Sequence, residues 1–387
     1  MTWSIIQGNA LALPLPNESV DLIITSPPYF ALRSYRDGDE HYEGQLGSEP
    51  TPKDFLEALW AATAEMKRVL KPTGSMFINL GDKYAGGGGG IPAKSLMGLP
   101  WRYAIGCIDD LNLILRAEMV WSKPNGLPES VTDRVRRSHE QWFHFTKQGR
   151  YFAAMDEIRE ASLIIFDAPQ NGTKRLAAAM NAKEHHRYDE RTNNPLGKLP
   201  GSVWQVPSEP LIIPEAIQRH YDLPDHFAAF PQEWPRRIIL GWSPSGICVE
   251  CGEGRAPVVA RERPDDFDWE LAAIEYTRSN SGRGSPRGIQ TGDSSTLKQS
   301  EKILRTITGY ACSCPNTDAP TRPAVVLDPF AGTGTVVGVA NALGRNGIGV
   351  ELSNDYCRLA RWRIANSGHF AKSVNRRNAE LQGKLAV

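Results

Sequence analysis

The chain has 387 residues, enough for one large α/β domain with insertions or for two smaller domains, and either would bury a sizeable core. Lysine plus arginine and aspartate plus glutamate both number 44, so overall charge singles out neither nucleic acid nor a membrane as partner. A basic face would have to come from local clusters such as DRVRRSHE (133–140) or KEHHRYDERTNNPLGK (183–198). The opening MTWSIIQGNA lacks a basic leader followed by an apolar core, and no long uncharged apolar stretch follows. Six cysteines in a chain of this length do not make a disulfide scaffold. The expectation is a cytoplasmic protein with reduced thiols and no membrane association.

WSIIQG (3–8) and VDLIIT (20–25) are short β-branched runs bounded by glycine, proline and asparagine, the pattern of strands buried in a parallel sheet, and they are expected to be neighbours. VDLIIT stops abruptly at Ser26-Pro27-Pro28-Tyr29. Prolines donate nothing to a ladder and fix their own φ, so the chain must leave the sheet there along a rigid path. Next, TPKDFLEALWAATAEMKRVLKPTG (51–74) spaces Phe55, Leu59, Ala62 and Met66 at helical intervals behind a Thr-Pro start, which predicts a helix feeding a strand at SMFINLGD. The glycine run 86–90 reads as a flexible loop. Alternating α and β pieces continue through LILRAEMVWSK and EQWFHFTK, arguing for a layered α/β core over 1–152. In HEQWFH the histidines are five apart and the alternation suits a strand, not a metal-binding helix.

The rhythm is lost in 153–205, read as an inserted surface module in which His185, His186, Arg187 and Arg191 are candidates for recognising a target. Residues 206–247 contain the amphipathic helical pattern HFAAFPQEWPRRIILGWSP (226–244). Residues 248–320 form a second insertion whose polar stretch 276–300 is too poor in apolar residues to fold alone. Two close pairs, Cys248/Cys251 and Cys312/Cys314, supply four thiolates, the number that a closed tetrahedral zinc site needs; unpaired buried thiols are the plain alternative. The α/β pattern returns in 321–387 as strand, glycine loop, helix, strand and helix.

In that last unit AVVLD runs into PFAGTGT, and Gly332 and Gly334 allow a tight turn with close backbone approach before a helix. The second strand ends in Glu351, some twenty residues on, placed to accept hydrogen bonds from a ribose. The loop is not G-x-G-x-x-G, and a carboxylate at Asp328 would repel a pyrophosphate. It suits a cation, and S-adenosylmethionine carries an ammonium and a sulfonium. Ser26 to Tyr29 complement such a donor: the Ser26 hydroxyl and Pro27 carbonyl can take the hydrogens of a planar amine, and Tyr29 offers a face for a base to stack on. Rigid prolines keep that carbonyl still.

TSPPY, VLDPFAGTGT and the intervening VWSKPNGLPESVTDRVRRSHEQWFHFTK together resemble the beta group of amino DNA methyltransferases, with the acceptor motif first and the cofactor motif last. The resemblance implies a Rossmann-like fold with a seven-stranded, mostly parallel sheet, one antiparallel strand and a circularly permuted motif order. It assigns Ser26, Pro27, Pro28 and Tyr29 to the target amine of a base flipped from double-stranded DNA, and Asp328, Phe330, Gly332, Gly334 and Glu351 to S-adenosylmethionine. Phe227 in HFAAFP is placed near the methionine end. Where the family often has Gly-Asp after the first strand, this chain has Gly8-Asn9, so an adenine contact by Asn9 would lose charge assistance. Family members acting on cytosine N4 commonly carry Ser at the position of Ser26 and those acting on adenine N6 commonly Asp, which favours cytosine and leaves adenine open. No cysteine follows a proline, as carbon-5 chemistry would need. A catalytically idle DNA-binding module, other planar amines in RNA or protein, and an unknown restriction endonuclease partner also stay open.

Overall fold

The computed structural model describes residues 3–31, 36–37, 40–41, 45–87, 91–126, 128–160, 196–213, 215–221, 231–262, 304–370 and 375. Phe227, the recognition candidates His185 to Arg191, the polar stretch 276–300 and residues 88–90 of the glycine run lie outside these. The chain divides into two units. The first comprises Met1–Met155, Gly201–Ala256 and Ala311–Ala379, and the second Asp156–Pro200, Pro257–Tyr310 and Glu380–Val387.

In chain order the strands are β1 (Trp3–Gln7), β2 (Val20–Thr25), β3 (Arg36–Asp37), β4 (Glu40–His41), β5 (Leu70–Leu80), β6 (Ile114–Ser122), β7 (His139–Thr146), β8 (Val203–Gln205), β9 (Ile247–Cys248), β10 (Ala256–Glu262), β11 (Leu304–Ala311), β12 (Thr321–Arg322), β13 (Val325–Asp328) and β14 (Asn346–Glu351). The helices are α1 (Pro52–Val69), α2 (Leu99–Asp109), α3 (Glu215–Tyr221), α4 (Glu233–Trp242), α5 (Thr335–Ala342) and α6 (Asn354–Ala365).

The first unit is built on an eight-stranded sheet, ordered β1-β14-β13-β2-β5-β7-β6-β8. Only β7 runs against the rest, pairing antiparallel with both β5 and β6. The expected seven strands are joined by short β8, which pairs parallel to β6. One expectation fails: β1 and β2 are not neighbours. β1 pairs with β14, and β2 with β13 and β5, so the two C-terminal strands are wedged between strands that follow each other at the N-terminus.

All six residues of β2 are buried, as a central strand covered on both faces requires. On one face, Ile23, Phe143 and Phe145 pack with Phe55, Leu59 and Met66 of α1 and Tyr103 of α2. α1 starts as its sequence suggests: Thr51 caps it, accepting from the Asp54 amide at 3.2 Å. On the other face α4 meets β2 and β5, with Trp234 stacked between Trp142 (4.9 Å) and Trp204 (4.7 Å). There His144 stacks on Phe77 at 4.2 Å, and burial pulls its pKa down to about 3, keeping it a neutral core residue.

Candidate active site

β2 and β13 are parallel neighbours, with Leu327 opposite Ile23, so Ser26–Tyr29 and the loop after Asp328 leave the same edge of the sheet. From β2 the chain proceeds through α1 to β5 on one side, and from β13 through α5 to β14 on the other. The two motifs thus flank the point where strand order reverses, where open α/β sheets form their ligand crevice. A direct bond ties them. The Thr25 hydroxyl donates to Asp328 Oδ1 at 2.6 Å, joining residues 303 apart in sequence.

Asp328 is buried, and the Phe330 amide also donates to its Oδ1, at 3.1 Å. Desolvation raises its pKa to about 7 against those two bonds, and the nearby Glu351 charge adds to the rise. In the loop beyond, Gly332 (φ +48°) and Gly334 (φ +73°) have left-handed backbone. Their missing side chains serve different ends. A Cβ on Gly334 would press on Ala360 and Ile364 of α6 at 3.0 Å, whereas one on Gly332 would meet only the Phe330 carbonyl oxygen, at 4.0 Å. Glu351, at the tip of β14, accepts from the Gly332 amide (2.8 Å) and the Ser353 amide (2.9 Å). Asn9 is exposed beside it: the Gly8 amide bonds to the Glu351 carbonyl, and the Asn9 side chain accepts from the Leu11 amide. Phe330 is partly buried against the core.

Past the end of β2, Pro27 is buried and Ser26, Pro28 and Tyr29 are half-buried. Behind them stands a polar network that sequence reasoning missed. Asn79 Oδ1 accepts from the Tyr29 hydroxyl (2.8 Å) and the Ser26 hydroxyl (3.2 Å), and the Asn79 amide nitrogen donates to the Gln141 carbonyl (3.0 Å). The Tyr29 hydroxyl also lies 2.9 Å from Glu140, which pairs with Lys123. The Tyr29 ring fits against Gly81, where a Cβ would come within 2.6 Å of its Cε2. Arg363 is a further omission: buried behind the glycine loop, it donates to the hydroxyls of Thr333 (2.9 Å) and Thr335 (2.7 Å).

The basic run is less available than its sequence suggests. Arg134 pairs with Glu129 and stacks on Tyr84, and Arg137 lies 3.5 Å from Asp82. Asp82 in turn accepts from the amides of Gly98 and Leu99, anchoring the start of α2. Three of the four cysteines of the second insertion converge, the thiols of Cys248, Cys251 and Cys314 lying within 4.8 Å of one another; Cys312 neighbours Cys248 and Cys251 without joining that set.

Comparison with known proteins gives this geometry its class. The chain matches the N6_N4_Mtase model, described as DNA methylase, over residues 20–249 and 311–361, and it belongs to that family. It is similar to the Type II methyltransferase M.Cfr9I of Citrobacter freundii, 36% identical over 68% of this chain and 81% of that one. It is also similar to M.XycI of Xanthomonas campestris pv. cyanopsidis, 40% identical over 41% of this chain and 58% of that one. Among solved structures, the PvuII DNA methyltransferase (cytosine-N4-specific) shares the fold, with a TM-score of 0.53, 18% identity and coverage of 99% of this chain and 94% of that one. Among the described residues no helix is long and apolar enough to cross a membrane.

Proposed function

We propose that the protein methylates the N4 amino group of cytosine in double-stranded DNA, using S-adenosylmethionine. The observation that carries this reading is the Thr25–Asp328 bond, which holds the acceptor and cofactor motifs at one edge of adjacent strands. The residues on the donor side fit such a group. A buried carboxyl that resists ionisation is stabilised by a cationic partner, the open side of Gly332 leaves room for close approach, and Glu351 stands at the next strand tip for a ribose. Bound S-adenosylmethionine supplies a methyl group activated by its positive sulfur.

The chain's own contribution is to present and polarise the amine. Its nitrogen lone pair is delocalised into the ring and must be drawn toward sp³ before it can form a bond to carbon. The Pro27 carbonyl and the Ser26 oxygen accept the two amine hydrogens, and the prolines hold the carbonyl in place. A carbonyl oxygen only accepts, so Asn79 Oδ1 draws the Ser26 proton inward and leaves the serine lone pairs facing the crevice. Tyr29, seated on Gly81 and held through its hydroxyl by Asn79 and Glu140, supplies a fixed stacking face. Neither the Pro27 carbonyl nor the Ser26 hydroxyl is a base, so the surplus proton on the methylated nitrogen leaves to solvent. Serine in place of an acid at position 26 favours cytosine over adenine.

The test is to methylate unmodified DNA with the purified protein, digest it to nucleosides and identify the product by mass spectrometry. N4-methylcytosine is expected. N6-methyladenine alone would overturn the base assignment, and binding of DNA without any transfer would leave only a docking module.

A further inference from the structure

The cysteine cluster is absorbed by neither the cofactor loop nor the acceptor notch, and its surroundings are built for metal rather than for buried thiols. Cys248 ends β9, which pairs with β12 so that Cys248 lies opposite Thr321. The chain then makes a tight turn through Val249–Gly252, where the Gly252 amide returns to the Cys248 carbonyl at 3.0 Å and the Gly252 φ is +73°. The Cys248 amide closes the turn on the Glu253 carbonyl at 2.9 Å, and Ile247 bridges to Gly254.

Backbone amides point at the sulfurs. Those of Glu250 and Cys251 donate to Cys248, that of Glu253 to Cys251, and that of Asn316 to Cys314. A neutral thiol is a weak acceptor and gains little from such amides; a metal-bound thiolate carries charge that converging amide dipoles stabilise. Side chains brace the two halves from outside: Glu253 accepts from the Ser313 amide at 3.1 Å, and Glu250 from Asn316 at 2.7 Å. The chain leaves the first unit after Ala256 and re-enters it at Ala311, so the cluster joins the two ends of that excursion. β12 and the cofactor strand β13 follow directly.

We propose that Cys248, Cys251, Cys312 and Cys314 form a structural zinc site of four thiolates that clips the excursion shut and fixes the entry of the chain into β12 and β13. Four sulfur ligands and no open position match a closed structural site, not a catalytic one. Closing a loop of roughly sixty residues removes much freedom from the unfolded chain, and the bound metal adds its own affinity to folding.

The experiment uses the full chain, purified without chelator or metal-affinity resin. Elemental analysis is expected to give one zinc per chain. Titration with a mercurial should release it in step with four thiols, leaving Cys107 and Cys357, both buried in helices, unreactive until the protein is unfolded. Cobalt taken up in place of zinc should show the intense visible and sulfur-to-metal bands of a tetrahedral thiolate site. C248S and C314S should each lose the metal; if they fail to fold, the mercurial and cobalt measurements on the unaltered chain still decide. Zinc far below one per chain after zinc has been supplied, thiols that react independently of any metal, or full zinc in C314S would overturn the proposal. None of these readings depends on methyl transfer, so the site stands or falls apart from the proposed activity.

Discussion

Replacing Asp328 by asparagine keeps the shape of the β13 tip and removes the charge proposed to pair with the cofactor ammonium. In the ligand-free protein the Asp328 pKa is raised from 3.8 to about 7. The folded state therefore holds this proton to higher pH than the unfolded chain does, so the contribution of Asp328 to stability falls as pH rises from about 4 to about 7. The change is of order 4 kcal/mol in all. A cationic ligand should reverse the sense of the dependence, because pairing needs the ionised carboxylate. Between pH 6 and pH 7.5 the ionised fraction of a group titrating near 7 rises from about 9% to about 76%, so S-adenosylmethionine should bind up to about eightfold more tightly at the upper pH. The ligand's own α-amine loses its proton with a pKa of about 8, so it already trims this gain near pH 7.5 and sets the top of the window. Calorimetric titration across this range should show the rise in the unaltered protein. Asp328→Asn should bind weakly with a flat profile, and 5′-methylthioadenosine, which has no ammonium, should be insensitive to pH in both. Thr25→Val removes a bond that lowers the Asp328 pKa and should move the midpoint upward. A pH-independent affinity in the unaltered protein, or the same slope in Asp328→Asn, would refute the pairing.

Asn79→Ala should leave cofactor affinity unchanged and slow single-turnover methyl transfer roughly 5- to 100-fold, the worth of one or two hydrogen bonds that orient Ser26 and Tyr29; equal rates would remove Asn79 from the acceptor site. Gly81→Ala puts a carbon within 2.6 Å of the Tyr29 ring, so transfer should fall while calorimetry shows intact cofactor binding. Gly332→Ala and Gly334→Ala should separate function from packing. The first should weaken the cofactor with a stability loss of about 1 kcal/mol from its backbone strain, and the second should lower the unfolding midpoint further because its Cβ meets α6. Arg363→Met removes the buried donor shared by the Thr333 and Thr335 hydroxyls, leaving them their mutual bond at 3.4 Å, and should cost about 2–4 kcal/mol in denaturant unfolding, with weaker cofactor binding as the loop loosens.

What could be read from the sequence was whatever is local to a few residues. A strand that ends in two prolines, a strand that runs into a glycine turn and an acid at the next strand tip each carry their geometry in their own spacing. The same reasoning misplaced β1 beside β2, because consecutive strands usually pair and nothing in either run says that β14 and β13 arrive from the far end of the chain to separate them. Asn79 was open to discovery: it is a lone amide in the buried run MFINL, and a buried polar group demands partners. Its partners were not, since only the antiparallel register of β5 with β7, Asn79 opposite Trp142, brings Gln141 and Glu140 behind Tyr29. Arg363 was hidden differently, because RLARWRIAN reads as an ordinary amphipathic helix and only the packing of α6 against the glycine loop buries its guanidinium.

The separation of the two motifs along the chain has no counterpart in space, and the reason lies in the sheet. A parallel strand is positioned by the ladders on either side of it, not by the length of chain that leads to it, so β13 takes its place through Leu327 opposite Ile23 and Val326 opposite Gly347 whether it is made early or late. Once it is seated, its carboxyl end must lie level with that of β2, and the loops that follow diverge because β5 and β14 lie on opposite sides. The divergence of the two loops is thus a consequence of strand order alone. The insertions enter where the core tolerates them, one after β7 and one between β9 and β12, and neither interrupts the pair β2–β13. That pair is what the Thr25–Asp328 bond closes, and it brings Ser26–Tyr29 and a buried acid to one edge of a sheet whose neighbouring strands add Asn79, Glu140 and Glu351 around them.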